Sequence, residues 1–208
     1  MSLTQQDMVI AAFNASIEAK ERSQEELPAR VVEAAGALSR CLEDGGKILM
    51  CGNGGSASDA QHFSAELLNR FVMGRPALPG IALGGDAATL TSIANDFSFD
   101  QVFAKQIEAM ARDSDVVVVI STSGNSSNIL AAVEAAQAVP VPVIALTGRD
   151  GGKLAEALGA KDIEIRVPSD VTARIQEVHI TVIHCLCELI DHTLFGYDPY
   201  EVQDEAEL

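Results

Sequence analysis

His62 and Glu66 stand four residues apart in a segment, near Ser56 to Phe71, whose pattern predicts a helix, so their side chains share one face about a turn from each other. An imidazole and a carboxylate at that spacing suit two ligands of one metal ion, or a base and the group that orients it. A solvated surface contact is the plainer alternative. What sets the pair apart is the run just before it, Cys51-Gly52-Asn53-Gly54-Gly55-Ser56-Ala57-Ser58-Asp59. Glycines let a backbone approach a ligand closely, and the N–H groups at a helix start favour anions. Gly52 to Ala57 also satisfies the dinucleotide fingerprint G-x-G-x-x-[G/A]. Against that reading, the second strand carries no acidic residue before Asp86, and 208 residues leave no room for a separate substrate domain. A tight glycine turn without a ligand stays open as well.

A second loop, Ser121-Thr122-Ser123-Gly124-Asn125-Ser126-Ser127-Asn128, places hydroxyls and one glycine directly before another expected helix. Such a loop offers a phosphate several neutral donors without a Walker lysine, and no G-K-[ST] is present. A Ser/Asn-rich helix cap would account for one or two of these residues but not for the cluster. Gln176, His179 and His184 lie within an otherwise apolar helix, where polar groups are costly unless partnered. A single buried His is usually a satisfied core residue. Three polar groups on a helix expected at an interface suggest a site built partly from another subunit.

These residues need a scaffold, and the chain has a regular one. Two helices come first, near Gln5 to Arg22 and from Pro28 to a stop at Gly45-Gly46. Five short apolar, β-branched runs then read as strands: Lys47 to Cys51, Gly80 to Leu83, Asp115 to Ser121, Val141 to Thr147 and Ile163 to Val167. Helical segments separate them: Ser56 to Phe71, Asp86 to Asn95, Phe99 to Arg112, Asn128 to Gln137 and Lys153 to Leu158. The expectation is a single α/β domain, a five-stranded parallel sheet flanked by helices, with ligands at the carboxyl ends of the strands. A last helix near Val171 to Phe195 is apolar on nearly every side, so it must be buried, and packing between subunits is expected of it. By segment, residues 1–46 are helical, 47–195 form the core with its last helix, and 196–208 are an acidic tail.

Composition narrows the partners. With 14 Lys plus Arg against 30 Asp plus Glu, the net charge is −16, which repels nucleic acid and anionic lipid alike. No apolar run is expected to cross a bilayer and the N-terminus has no leader pattern, so a soluble, cytoplasmic protein is expected. Cys41, Cys51, Cys185 and Cys187 form no C-x-x-C pair and read as buried free thiols.

Taken in order, the run from Cys51 through His62 to Glu66, then Ala94-Asn95-Asp96, Ile120 to Ser126, Leu146-Thr147-Gly148-Arg149-Asp150-Gly151-Gly152 and Arg174 through Gln176 to His184 resemble the phosphoheptose isomerase family, within the wider sugar-isomerase (SIS) domain group. The resemblance covers almost the entire chain. It implies conversion of sedoheptulose 7-phosphate to D-glycero-D-manno-heptose 7-phosphate, the first step toward the ADP-heptose of lipopolysaccharide core, by a zinc-containing homotetramer with sites at subunit interfaces. It assigns Asn53, Gly54, Gly55, Glu66, Asn95, Asp96, Ser121, Thr122, Ser123, Ser126 and Gln176 to substrate. His62, Glu66, Gln176 and His184 fall to the metal, and Glu66 and His184 to acid/base catalysis. Some members carry Asp where Ala173 stands here, so any role of that carboxylate does not transfer.

On one unbroken helix Gln176 and His184 are separated by ~12 Å along the axis, too far for one subunit to bring both easily to one ion. The expectation is a site combining helices of neighbouring subunits, or fewer ligands. The competing function is a non-enzymatic relative that binds the bacterial replication initiator. That relative lacks equivalents of Glu66 and His184, which this chain has.

Overall fold

The computed structural model describes residues 4–199, so the acidic tail beyond Pro199 lies outside the described residues. The chain runs α1 (Gln5–Glu26), α2 (Pro28–Glu43), β1 (Ile48–Gly52), α3 (Gly55–Leu68), β2 (Gly80–Ala82), α4 (Ala87–Asp96), α5 (Ala104–Met110), β3 (Val116–Ile120), α6 (Ser127–Ala138), β4 (Val143–Gly148), α7 (Gly152–Ala157), β5 (Ile163–Val167) and α8 (Thr172–Phe195). The five strands form one parallel sheet in the order β2-β1-β3-β4-β5.

The near-continuous apolar runs of β1, β3 and β4 are explained by burial on both faces. Ile48, Met50, Val116, Val118 and Ile120 point to the layer of α2, α3 and α8. Leu49, Cys51, Val117 and Val119 point to that of α5, α6 and α7. Asp115 locks the starts of β1 and β3 together, accepting from the backbone N–H of Lys47 (2.8 Å), from Lys47 Nζ (2.6 Å) and from the N–H of Arg112 (2.8 Å).

Three expectations need correction. The helix after the glycine loop stops at Leu68 rather than Phe71, because Asn69 leaves the helical region (φ −97°, ψ −96°). The segment expected as one helix from Phe99 to Arg112 is a 3-10 turn at Phe99–Gln101 followed by α5, which ends when Ala111 turns extended. By length and composition α8 could cross a bilayer, which the reading of the sequence did not allow for. It is a core helix instead: nine of its residues, among them Ile175, Val182, Ile183 and Ile190, are buried within the one chain, against α2, α3 and α1. Burial of α8 therefore does not require another subunit. On α1, Met8, Val9, Phe13 and Ile17 are exposed, Phe13 by 68%.

The order 2-1-3-4-5 reverses direction between β1 and β3, and in open parallel sheets that switch point is where ligands bind. Gly52 pairs with Ile120 in register, so the two candidate loops leave the sheet side by side.

Candidate active site

The first loop turns at Gly54, whose left-handed φ of +57° suits glycine. The second turns at Gly124, with φ +62°. Asn53 in one loop and Asn128 at the start of α6 exchange amide hydrogen bonds, both 2.8 Å, and so clamp the two loops together. Ser121 Oγ lies 3.4 Å from Ser126 Oγ, with Thr122 and Ser123 half-buried beside them. Neither α3, beginning after Gly54, nor α6, beginning after Ser126, is capped by a side chain. The hydroxyls of the second loop are thus not spent on capping α6, and both helix starts direct first-turn N–H groups toward the switch point, a setting suited to a phosphate.

His62 and Glu66 lie on α3, and α8 brings His184 across to them. His62 Nε2 is 3.2 Å from Glu66 Oε1 and 3.1 Å from His184 Nε2. Phe71 stacks on the His184 ring with centroids 5.2 Å apart and planes at 27°. One turn before His62, Asp59 has a carboxylate oxygen buried without a hydrogen bond. Burial raises its pKa, with His62 opposing the shift.

Both contacts of His62 fall on one nitrogen. As an N–H donor to Glu66 it has no lone pair for His184, and as an acceptor from His184 it leaves the carboxylate unserved. A shared cation satisfies all three, and ligands on a tetrahedral zinc with bonds near ~2 Å stand roughly 3.3 Å apart, close to both separations. The three groups form a chain through His62 rather than a closed set: among the described residues no three His, Cys, Asp or Glu side chains converge on one point. For His62, Glu66 and His184 to hold one ion, Glu66 and His184 would have to close on the same point.

Gln176 stands elsewhere. Its amide presses on Gly55, where any Cβ would lie 2.4 Å from Nε2, and Gly55 precedes His62 by about 10 Å along α3. Within one chain Gln176 therefore belongs to the glycine loop, not to the His/Glu group. His179 joins neither: it is buried, with Nε2 2.9 Å from the carbonyl of Thr147. Asn95 and Asp96 bond to each other (2.7 Å) at the exposed end of α4. The clamp by Asn128 was not foreseen, although that residue closes the Ser-rich run. Nor was Asp100, which accepts from Ser127 Oγ and for which the sequence offers no signal.

Comparison with known proteins shows which family has this fold. The SIS domain family matches residues 12–148. A phosphoheptose isomerase of Halorhodospira halophila is 57% identical over 190 residues, 91% of this chain and 96% of that one. One of Chromohalobacter salexigens is 56% identical over 191 residues, 92% of this chain and 97% of that one. Among solved structures, a phosphoheptose isomerase from Francisella tularensis superposes with a TM-score of 0.89 at 50% identity, covering 91% of this chain and all 100% of that one. That from Neisseria gonorrhoeae gives 0.86 at 50% identity, over 90% and 99%.

Proposed function

We propose that this chain, which belongs to the phosphoheptose isomerase family of SIS-domain proteins, moves the carbonyl of sedoheptulose 7-phosphate from C2 to C1, yielding D-glycero-D-manno-heptose 7-phosphate for heptose biosynthesis. The observation that carries the mechanism is the meeting of Glu66 and His62 on α3 with His184 on α8, about 10 Å or more along α3 from the glycine loop.

The phosphate sits on Ser121, Thr122, Ser123 and Ser126 and the N–H groups starting α6, and the sugar chain runs past Asn53, Gly54, Gly55 and Gln176. Asn95 and Asp96 contribute to substrate from the exposed end of α4. Glu66 takes the C1 proton of the ketose while His184 supplies one to O2, giving an enediol. His184 then removes the O1 proton and the proton on Glu66 returns to C2. Protons balance and no external oxidant is needed. Phe71 against His184 shields one face of the imidazole from water.

His62, Glu66 and His184 would hold a zinc ion, with Gln176 added only where a neighbouring copy of the chain brought it within reach. When bound, the ion polarises the substrate carbonyl and stabilises the charge that develops on its oxygen. The working form is a homotetramer, which would cover the exposed apolar residues of α1. Its four free cysteines and phosphosugar substrate suit the cytoplasm.

Turnover of sedoheptulose 7-phosphate by the purified chain, before and after chelation and zinc return, tests the reading. Turnover that is lost to the chelator and restored by zinc is expected. A folded, zinc-loaded oligomer without turnover would overturn the substrate assignment.

A further inference from the structure

A guanidinium is buried where α3 ends. The side chains of Arg75 and Asp191 are each 1% exposed, with Nε 2.5 Å from Oδ1. Arg75 Nη2 donates to the carbonyl of Glu66 (2.8 Å), and Nη1 to those of Leu67 (3.0 Å) and Pro76 (3.1 Å). Glu66 and Leu67 lie in the last turn of α3, whose carbonyls have no partner further along the helix, and a cation there also complements the helix dipole. Asp191 lies on α8, two turns beyond His184. One planar group therefore grips the residue that bears the Glu66 carboxylate and, through its other edge, the helix that bears His184.

We propose that Arg75 and Asp191 are positioning residues for the isomerase reaction, fixing how α3 sits against α8 and hence the approach of Glu66 to His184. They touch no substrate and act only through the helices they join. The inference rests on the reading of Glu66 and His184 as the acid/base pair. Stability alone is a poor explanation of the pair, since burying two charges is costly and an apolar pair of similar volume often serves as well. An apolar pair cannot donate to three carbonyls in a fixed plane, and neither can a lysine.

Two variants of the full chain test this, each read as kcat and KM for sedoheptulose 7-phosphate together with thermal midpoint and oligomer size. The double substitution Arg75→Met with Asp191→Leu leaves no lone buried charge. It is expected to stay folded and to lose about a hundredfold in kcat, the scale of a displacement near 1 Å between reacting groups. KM is expected to change by less than about threefold, because the phosphate loops are untouched. Arg75→Lys keeps the charge but not the fork, and a loss of about tenfold in kcat is expected. Wild-type kcat in either folded variant overturns the proposal, and if the double variant does not fold, Arg75→Lys decides alone. A wild-type chain without turnover is a different result: it removes the isomerase reading, and this inference falls with it.

Discussion

Replacing Gly124 by Ala perturbs the phosphate loop through two separable effects. The first is backbone strain: Gly124 holds φ +62°, a conformation that costs an L-residue about 1–2 kcal/mol. The second is space. A methyl group there would lie 1.8 Å from the carbonyl oxygen of Gly151 and 2.5 Å from its carbon. That obstacle is backbone and cannot rotate away, so the loops after β3 and β4 must part by more than an ångström. Overpacking of this kind costs about 1–3 kcal/mol. Parting the loops also breaks the bond from the Leu154 N–H to the Gly124 carbonyl, 2.9 Å, worth about 1 kcal/mol. Gly45→Ala is the control, for Gly45 has φ +75° with nothing within 4 Å and lies at the opposite end of β1 from the loops. Urea unfolding should show Gly45→Ala losing about 1–2 kcal/mol and Gly124→Ala about 2–4 kcal/mol more than that. KM for the phosphosugar should rise about tenfold or more in Gly124→Ala, a loss of about 1.4 kcal/mol in binding, and stay unchanged in Gly45→Ala. Equal stability and unchanged KM in the two variants would refute the interlock of the loops.

Acid sensitivity should follow His179, whose pKa burial pushes down to about 4 from 6.5 while its bond to the Thr147 carbonyl works the other way. Between those values the unfolded chain binds the extra proton, so stability is full above pH 6.5 and falls as pH drops toward 4. The loss amounts to about 3 kcal/mol at most. Urea midpoints of wild type and His179→Gln at pH 7 and 4.5 check this, the variant losing less on acidification; parallel losses would contradict it. Asp115→Ala leaves the part-buried N–H donors of Lys47 and Arg112 without their acceptor and frees the Lys47 ammonium, so a loss of about 1–3 kcal/mol is expected in the same assay.

Strand number, order of elements and the parallel sheet were legible because β1, β3 and β4 are apolar on both faces, a pattern that little else in a chain of this length produces. The ends were less so. Asn69 and Ala111 terminate helices through backbone angles that carry no strong residue signal. The apolar run predicts Lys47 as the first residue of β1, yet it lies outside the strand, its side chain paired with an aspartate 68 positions away. His62 and Glu66 announce themselves by spacing, but His184 reaches them from 122 residues away, and only topology makes that contact. The separation of Gln176 from His184 follows from helix rise alone. Arg75 gave no sign at all, because a buried arginine and an exposed one look identical in a sequence until the loop carrying it is seen to fold back under α3. The first helix buries only Ala19 and Ser23 within one chain, and its large apolar residues stay exposed, which no pattern in the sequence announces.

The most direct test of the account is kcat for sedoheptulose 7-phosphate in Glu66→Gln and His184→Asn beside wild type, with folding checked by circular dichroism. Each variant is expected to lose about 10²–10⁴ in kcat, the range of acid/base catalysis by a positioned side chain, while remaining folded. A folded Glu66→Gln or His184→Asn enzyme turning over within a few-fold of wild type would contradict the acid/base pair on which the mechanism stands.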